Sequence, residues 1–429
     1  MRKYLKLALV YLFFSIFPTS QASEQTNIYK YTQAGMFSPS IKNALFRVYV
    51  PNGQSGTVSV IDPTTYKVIQ TFQTGKDPQH VVPSYDLQTL WVLNNKSNSM
   101  TPIDPTTGNP GRNVAIDDPY NLYFTMDGKF AIVVCEGRKQ LEFHDPKTMK
   151  LVSVLPMQCR GANHMEFAVD GRYAIVTCEF SGQLMKVDLV NNKVVGYLSL
   201  SPYHSENLQE RQQSDKTTSS SSSTSGHSLF SLSSDITISV DGHVFTNNNS
   251  QKDTDKKTQK AMSMKMTSMP QDIRSSADGS LFFVADMLQD GVVLIDPFRF
   301  VKVGFIPTGI GTHAVYPSRD GKLFYVSNRG CHHISCGPHG PGSISVIDPV
   351  KKAVIATWPI PQGGSPDMGN ITADGKELWL SGRYDNEVYV FDTATGNLTH
   401  RIPVGRGPHG LAVWPQPGRF SLGHTGNMR

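Results

Sequence analysis

A short phrase centred on aspartate returns seven times along this chain, and that recurrence limits the fold more than any other feature. It reads Ile61-Asp62-Pro63, Ile103-Asp104-Pro105, His144-Asp145-Pro146, Val187-Asp188-Leu189, Ile295-Asp296-Pro297, Ile347-Asp348-Pro349 and Phe391-Asp392-Thr393. The aspartates are 42, 41, 43, 108, 52 and 44 residues apart. A second phrase, Asp-Gly, falls inside most repeats, at Asp127-Gly128, Asp170-Gly171, Asp278-Gly279, Asp320-Gly321 and Asp374-Gly375, with Tyr85-Asp86 as a degenerate copy. Short apolar runs such as Phe130 to Val134 and Leu281 to Ala285 follow these turns, a pattern of strands separated by turn residues. Four strands fit into each repeat, and a period near 42 residues is that of a propeller blade.

The fold class expected is therefore all-β, a seven-bladed β-propeller with a long flexible insertion between blades four and five. The ends agree. Leu45 to Gly75 contains the last three strands of a repeat without its first, and the missing pattern appears as Gly407-Pro408-His409-Gly410-Leu411-Ala412-Val413. Pairing these two pieces closes a ring and buries two edges that an open solenoid leaves exposed.

Outside the ring, the sequence divides into an N-terminal leader at 1–22, an extension at 23–44, the propeller at 45–418 and a tail at 419–429. Arg2, Lys3 and Lys6 precede an apolar run from Leu7 to Phe17, and Ser20-Gln21-Ala22 has the small residues of a cleavage site. This reads as a signal peptide, with the protein periplasmic or secreted and no transmembrane segment left after cleavage after Ala22. The whole chain carries a formal charge of +5; loss of the leader leaves +2. So small an excess, with no basic stripe, argues against nucleic acid as the main partner. Five cysteines are too few to form a disulfide scaffold, so packing must hold the core.

The order Gly-x-x-Pro, Asp-Gly, Ile-Asp-Pro resembles the YVTN-type repeat of bacterial and archaeal propellers, the family that includes YncE-like periplasmic proteins. The resemblance runs from about Leu45 to Pro417 apart from the insertions. It implies an exported or surface propeller. Some related propellers carry metals, a specialised haem or lactone-hydrolysing sites, and YncE-like members have been associated with single-stranded DNA binding, but none of these functions follows from the repeat.

Two stretches break the period. The first, at 202–268, includes the serine run Ser219 to Ser223 and is too polar to fold alone, so it is expected as a mobile loop. Near its end Met262, Met264 and Met266 alternate, with Met269 nearby. Thioethers bind soft Cu(I), and they also pack adaptably. The second stretch is located by register: the residue ten before each marker aspartate is Asn52, Asn94, Cys135, Cys178, Asp286 and Gly382, whereas in blade six the matching Asn328 lies twenty before Asp348. The loop at 329–341 is thus expanded, and it holds Cys331, His332, His333, Cys336 and His339. Cys331 and Cys336 are expected to form a disulfide presenting His332, His333 and His339 at the channel face, or to serve as reduced metal ligands.

Propeller topology brings both departures and the starts of all inner strands to one face, the surface where loops on a rigid scaffold carry function. After Pro78 and its equivalents come Gln79, Tyr120, Asn163, Gln271, His313, Asp367 and His409. One position further are His80, Asn121, His164, Asp272, Ala314, Met368 and Gly410. Strand alternation predicts that the two sets point to different sides. The metal candidates are His80, His164, His313 and His409, with Asp272 as an oxygen ligand. Copper or zinc suits such donors, and Cys135 and Cys178 are additional candidates or packing residues.

Glu136 or Glu179 beside a histidine offers an acid or base, but no nucleophile elbow, Walker loop, HExxH or Cys-x-x-Cys-His motif is present, so catalysis is left open. The first functional expectation is a periplasmic or surface-associated binding or interaction protein. It would take a protein or small-molecule ligand on the loop-decorated face. The alternative is a propeller that binds copper or zinc at the channel mouth, and that alternative includes an enzyme.

Overall fold

A computed structural model describes residues 27–201 and 266–429. The leader at 1–22, most of the insertion, the serine run and Met262 and Met264 lie outside the described residues.

Each marker aspartate does the same local work. Asp62 Oδ1 accepts from the Thr64 amide at 2.9 Å, Asp104 from Thr106 at 2.7 Å, Asp296 from Phe298 at 3.0 Å and Asp348 from Val350 at 3.0 Å. These side-chain-to-backbone bonds close the turn between the third and fourth strands of a blade, which is why the phrase recurs at blade spacing.

Among the described residues the strands form seven four-stranded antiparallel sheets. The blades follow the sequence, with one exception. Blade one takes its innermost strand, Ala412–Trp414, from the far end of the chain and pairs it with Arg47–Asn52 in the register Arg47↔Trp414, Val48↔Val413 and Tyr49↔Ala412. The expected ring closure is thus present. The strands next to the channel in blades two to seven are Pro78–Pro83, Pro119–Phe124, Ala162–Phe167, Pro270–Ser275, Thr312–Pro317 and Pro366–Ile371.

Burial falls from the channel outward. Every residue of the Pro78–Pro83 strand is buried, whereas the outermost strand of blade one, Lys67–Gln73, is almost wholly exposed. Between blades the faces are apolar: Tyr123, Phe143, Met165 and Phe167 pack between blades three and four, and Tyr316, Trp358, Leu380 and Phe391 between six and seven. Burying one such large apolar side chain stabilises by about 1.5–3 kcal/mol.

The second strands end where register placed them, at Asn52, Asn94, Cys135, Cys178, Asp286, Asn328 and Gly382. Three of these are posts of one design. Asn52 donates to Thr57 and Ser59, Asn94 to Ser99 and Thr101, and Asn328 to Ser343 and Ser345, tying the second strand to the third.

The tail at 419–429 continues from the closing strand Ala412–Trp414. It folds back as a short hairpin, with Ser421 bridged to Met428, and enters the channel from the face opposite the expanded loop. The Ser421 amide donates to Tyr85 O at 3.2 Å, Phe124 N to Leu422 O at 3.1 Å, and His424 N to Leu122 O at 2.9 Å. Arg429 Nη2 and Asn427 Nδ2 donate to the buried Glu166 carboxylate at 2.9 and 3.3 Å. Gly423 is required here: its φ is +98°, and a Cβ would lie 2.2 Å from the Leu122 carbonyl.

Candidate metal centre

The first residues of the inner strands do not alternate as ideal strands do. In blade two, Pro78 pairs with Asn94 and Val81 with Val92, so three steps on one strand face two on the other. The same irregularity recurs in blades three to seven, between Pro119 and Asn121, Ala162 and Met165, Pro270 and Ile273, Thr312 and Ala314, and Pro366 and Gly369. Such bulges re-aim side chains. They correct in part the expectation that the two sets of residues diverge: His80, Asn121, His164 and Asp272 gather in an inner tier and His313, Asp367 and His409 in a mouth tier beside it, whereas Ala314 and Met368 pack into the apolar core between blades six and seven.

The inner tier holds a histidine cluster. The rings of His80 and His164 are 5.6 Å apart, and His424 of the tail hairpin lies 5.3 Å from His80 and 4.8 Å from His164. One ring nitrogen from each of the three falls within a group no more than 4.8 Å across, and all three residues are buried. Asn121 fixes two of the rings. Its Oδ1 accepts from the Leu122 amide, which turns its Nδ2 towards Nδ1 of His164 at 3.3 Å and of His424 at 3.2 Å.

His80 Nδ1 lies 3.0 Å from the Tyr120 carbonyl, an atom that only accepts. The proton therefore sits on Nδ1, and Nε2 carries a bare lone pair. That Nε2 and the Nε2 of His164 are buried without a hydrogen-bond partner. Each such atom costs about 1–3 kcal/mol unless something satisfies it. A metal cation does so for the bare Nε2 of His80; on His164 and His424, whose Nδ1 atoms accept from Asn121, the proton sits on Nε2, and coordination there requires that proton to move to Nδ1 as the Asn121 amide turns away.

Burial holds these rings neutral. It pushes His80 down to about 3 and His164 and His424 well below the usual histidine range, with neighbouring cationic groups adding to the last two. His313 is depressed to about 4 by burial and by Arg329. A histidine whose folded pKa lies below its unfolded value takes up its proton more readily in the unfolded chain. The stability it confers is therefore complete above about pH 6.5 and declines as pH falls towards the folded value. The urea midpoint of metal-free protein is accordingly expected to fall between pH 7.5 and 5.5, before ordinary carboxylates titrate; an unchanged midpoint would contradict burial of neutral imidazoles.

Asp272 flanks the triad without joining it. Its Oδ1 lies 3.9 Å from His164 Nδ1 and 3.8 Å from His424 Nε2, while Arg274 Nη1 at 3.1 Å and the amides of Ile273 and Val315 engage the carboxylate. Burial raises its pKa to about 6 despite Arg274. A metal in the triad would have this carboxylate as an outer neighbour, an arrangement that steadies ligand rings and cation charge.

His313 and His409 belong to the mouth tier. Both face Asp367: His313 Nδ1 lies 2.9 Å from Oδ1 and His409 Nδ1 2.7 Å from Oδ2. Arg329 donates to Oδ1 through Nε at 2.9 Å and Nη2 at 2.6 Å. Burial alone would raise the Asp367 pKa, but Arg329, His313 and His409 together hold it well below the carboxylate range. Gly410 lets the inner strands of blades one and two approach, since a Cβ there would meet the His80 ring at 2.2 Å. The His80 and His409 rings are consequently 4.8 Å apart.

The cysteine candidates separate. Cys178 is bonded to Cys159, so its sulfur is not a ligand, which corrects its inclusion among the additional candidates. Cys135 is a buried thiol whose Sγ lies 3.2 Å from the Asp117 carbonyl, and burial raises its pKa far above the thiol range. Cys331 and Cys336 are bonded to each other. Their loop histidines stay outside the cluster: His332 Nε2 lies 2.7 Å from Asp290, His333 is exposed, and His339 Nδ1 lies 3.6 Å from Asp385. Glu179 is buried, accepts from Gln271 and Asn163, and has a raised pKa through burial.

Fold and site together define a closed seven-bladed propeller with a buried triple-histidine cluster at its axis. The chain matches the model of the YncE-like β-propeller family over residues 34–145 and 235–417 and belongs to that family. No curated protein matches its sequence. A functionally unknown protein from Desulfotomaculum acetoxidans shares the fold at a TM-score of 0.59 and 11% identity, covering 86% of this chain and 99% of its own. Hydrazine synthase of Kuenenia stuttgartiensis aligns at 0.52 and 16% over 79% and 91% of the two chains. The dihydro-heme d1 dehydrogenase NirN aligns at 0.55 and 12% over 89% and 77%. At these identities the likeness is one of fold. Among the described residues no helix is long and apolar enough to cross a membrane.

Proposed function

We propose that this protein is a metal-binding propeller that holds copper or zinc between His80, His164 and His424. The observation that carries this reading is the convergence of three buried imidazoles, two with Nε2 atoms that no protein group satisfies. Nitrogen donors without thiolate suit Cu(II) or Zn(II), with Cu(II) bound more tightly by a given site. Three protein ligands leave a further coordination position, which an electron-transfer, Lewis-acid or ligand-binding role requires. In this reading the leader at 1–22 delivers the chain to the periplasm. The face bearing the Cys331–Cys336 loop would then meet a protein or small-molecule partner.

The test is elemental analysis of protein purified from the periplasm without a polyhistidine tag. About one copper or zinc per chain is expected, falling to background in the variant that replaces both His80 and His164 with alanine. Substoichiometric metal, unchanged by that double substitution, would remove the reading.

A further inference from the structure

The seam between blades four and five buries an ammonium group. Lys186 lies two residues before the marker Asp188 and is only 6% exposed. Its Nζ sits 4.6 Å from the centre of the Tyr173 ring and 5.8 Å from that of Phe300. It donates to the Pro297 and Phe298 carbonyls at 2.8 and 3.0 Å. Tyr173 follows the Asp-Gly turn of blade four, and Pro297 to Phe300 follow the marker aspartate of blade five. The repeat therefore supplies an equivalent position at the other seams.

Where the ring closes, between blades seven and one, the equivalent residues have changed. Val390 stands in place of Lys186 and Glu377 in place of Tyr173, while Pro63 and Tyr66 match Pro297 and Phe300. Phe130, Leu281 and Leu323 hold the Glu377 position in three further blades, so a carboxylate there departs from the repeat. The Tyr66 hydroxyl donates to Glu377 Oε1 at 2.5 Å and the Trp379 indole to Oε2 at 2.9 Å. The bond to Glu377 pushes the Tyr66 pKa up to about 12, which keeps the proton on tyrosine and the charge on the carboxylate. Lys376 pairs with Asp374 at 3.8 Å and is 79% exposed, and no ion pair reaches Glu377 among the described residues.

This seam encloses a cavity of about 510 Å³. Glu377, Tyr66 and Pro63 line it together with Phe37, Ala44 and Phe46 from the chain leading into blade one. Phe37 and Phe46 are 43% and 40% exposed, so aromatic surface stands open beside a carboxylate that lacks a cation. The volume and the mainly apolar lining, with a polar group to orient the occupant, suit a small molecule.

We infer that this cavity is a binding site for a small organic ammonium, whose charged head meets Glu377 and whose apolar body lies against Phe37 and Phe46. The head takes the place that Lys186 fills between blades four and five. There, aromatic rings and carbonyls satisfy the ammonium; here, a carboxylate does so through a charge-assisted hydrogen bond. The site is separate from the channel and does not depend on a metal there.

Calorimetry with phenethylamine, which is protonated at neutral pH, tests this in the full protein. Saturable binding at one site per chain is expected, with the same affinity in metal-free and copper-loaded protein. Phenethyl alcohol has the same apolar body and a neutral head. It should bind at least tenfold more weakly, the scale of one lost hydrogen bond to a charged group. That comparison needs no variant. Glu377→Gln keeps an oxygen able to accept from Tyr66 and should erase the preference for the amine over the alcohol. Phe46→Ala, at an exposed ring, should weaken both ligands. The absence of saturable heat at millimolar phenethylamine would overturn the site. So would equal affinity for amine and alcohol in the unaltered protein, or a preference for the amine that survives in Glu377→Gln.

Discussion

Replacing His424 with alanine is expected to lower metal affinity by more than about 100-fold while leaving the propeller folded, because loss of a direct ligand must exceed the 10–100-fold effect of losing an outer-shell partner. Among the described residues the ring is one of three donors in the cluster. The hairpin itself has other holds: the backbone bonds of Leu422 and His424 to the inner strand of blade three, and the Glu166 contacts of Asn427 and Arg429. Chelator competition reads the affinity, and circular dichroism reads the fold. His332→Ala, in the exposed loop, serves as the comparison and is expected to change nothing. Equal affinity in wild type and His424→Ala would remove the tail from the centre; His424→Gln keeps the test alive if the smaller side chain loosens the hairpin.

Asp367→Ala should be the most destabilising single change at the channel. It strips a fully buried carboxylate from Arg329, Arg383, His313 and His409, leaving the buried Arg329 charge uncompensated. Breaking a buried pair in this way costs about 3–5 kcal/mol. The exposed Lys322–Asp320 pair, 3.2 Å long and largely in solvent, gives the contrast, since such pairs contribute about 0–1 kcal/mol. Urea unfolding of Asp367→Ala and Lys322→Ala compares them, and similar midpoints would show that the mouth network does not hold the structure together. The sign with pH is fixed by the depressed pKa of Asp367. Its contribution is present above the ordinary carboxylate range and is lost only as pH falls through its own lower value.

The fold was legible because its information is local. Each marker aspartate closes its own turn, so spacing alone counted the blades, and two incomplete ends disclosed the ring. The site was half legible. Register placed His80 and His164 on inner strands beside His313, His409 and Asp272, and in the structure His409 lies 4.8 Å from the His80 ring and Asp272 3.9 Å from His164. It could not say that strand bulges would bring two tiers to one axis, since a bulge leaves no mark on composition. His424 was missed for a different reason. It lies in a hairpin with no counterpart in the repeat, and its only local signal is the pair of glycines, Gly423 and Gly426, that flank a sharp turn. Cys159 escaped likewise, because it sits in the connection before blade four, outside any strand register.

The position of the closing strand and hairpin has a consequence for the order of assembly during synthesis. Ala412–Trp414 and His424 follow the other six blades along the chain, yet they complete the first blade and supply one ring of the histidine cluster. Until they arrive, six blades can stack while the Arg47–Asn52 strand waits as an unpaired edge, the state in which such a chain is most open to pairing with another. On the proposed metal reading, capture by all three histidines is then available only to a chain whose ring has closed and whose hairpin has docked. On that reading the metal would act as a seal on closed rings, and a chain still short of His424 would lack one of the three ligands.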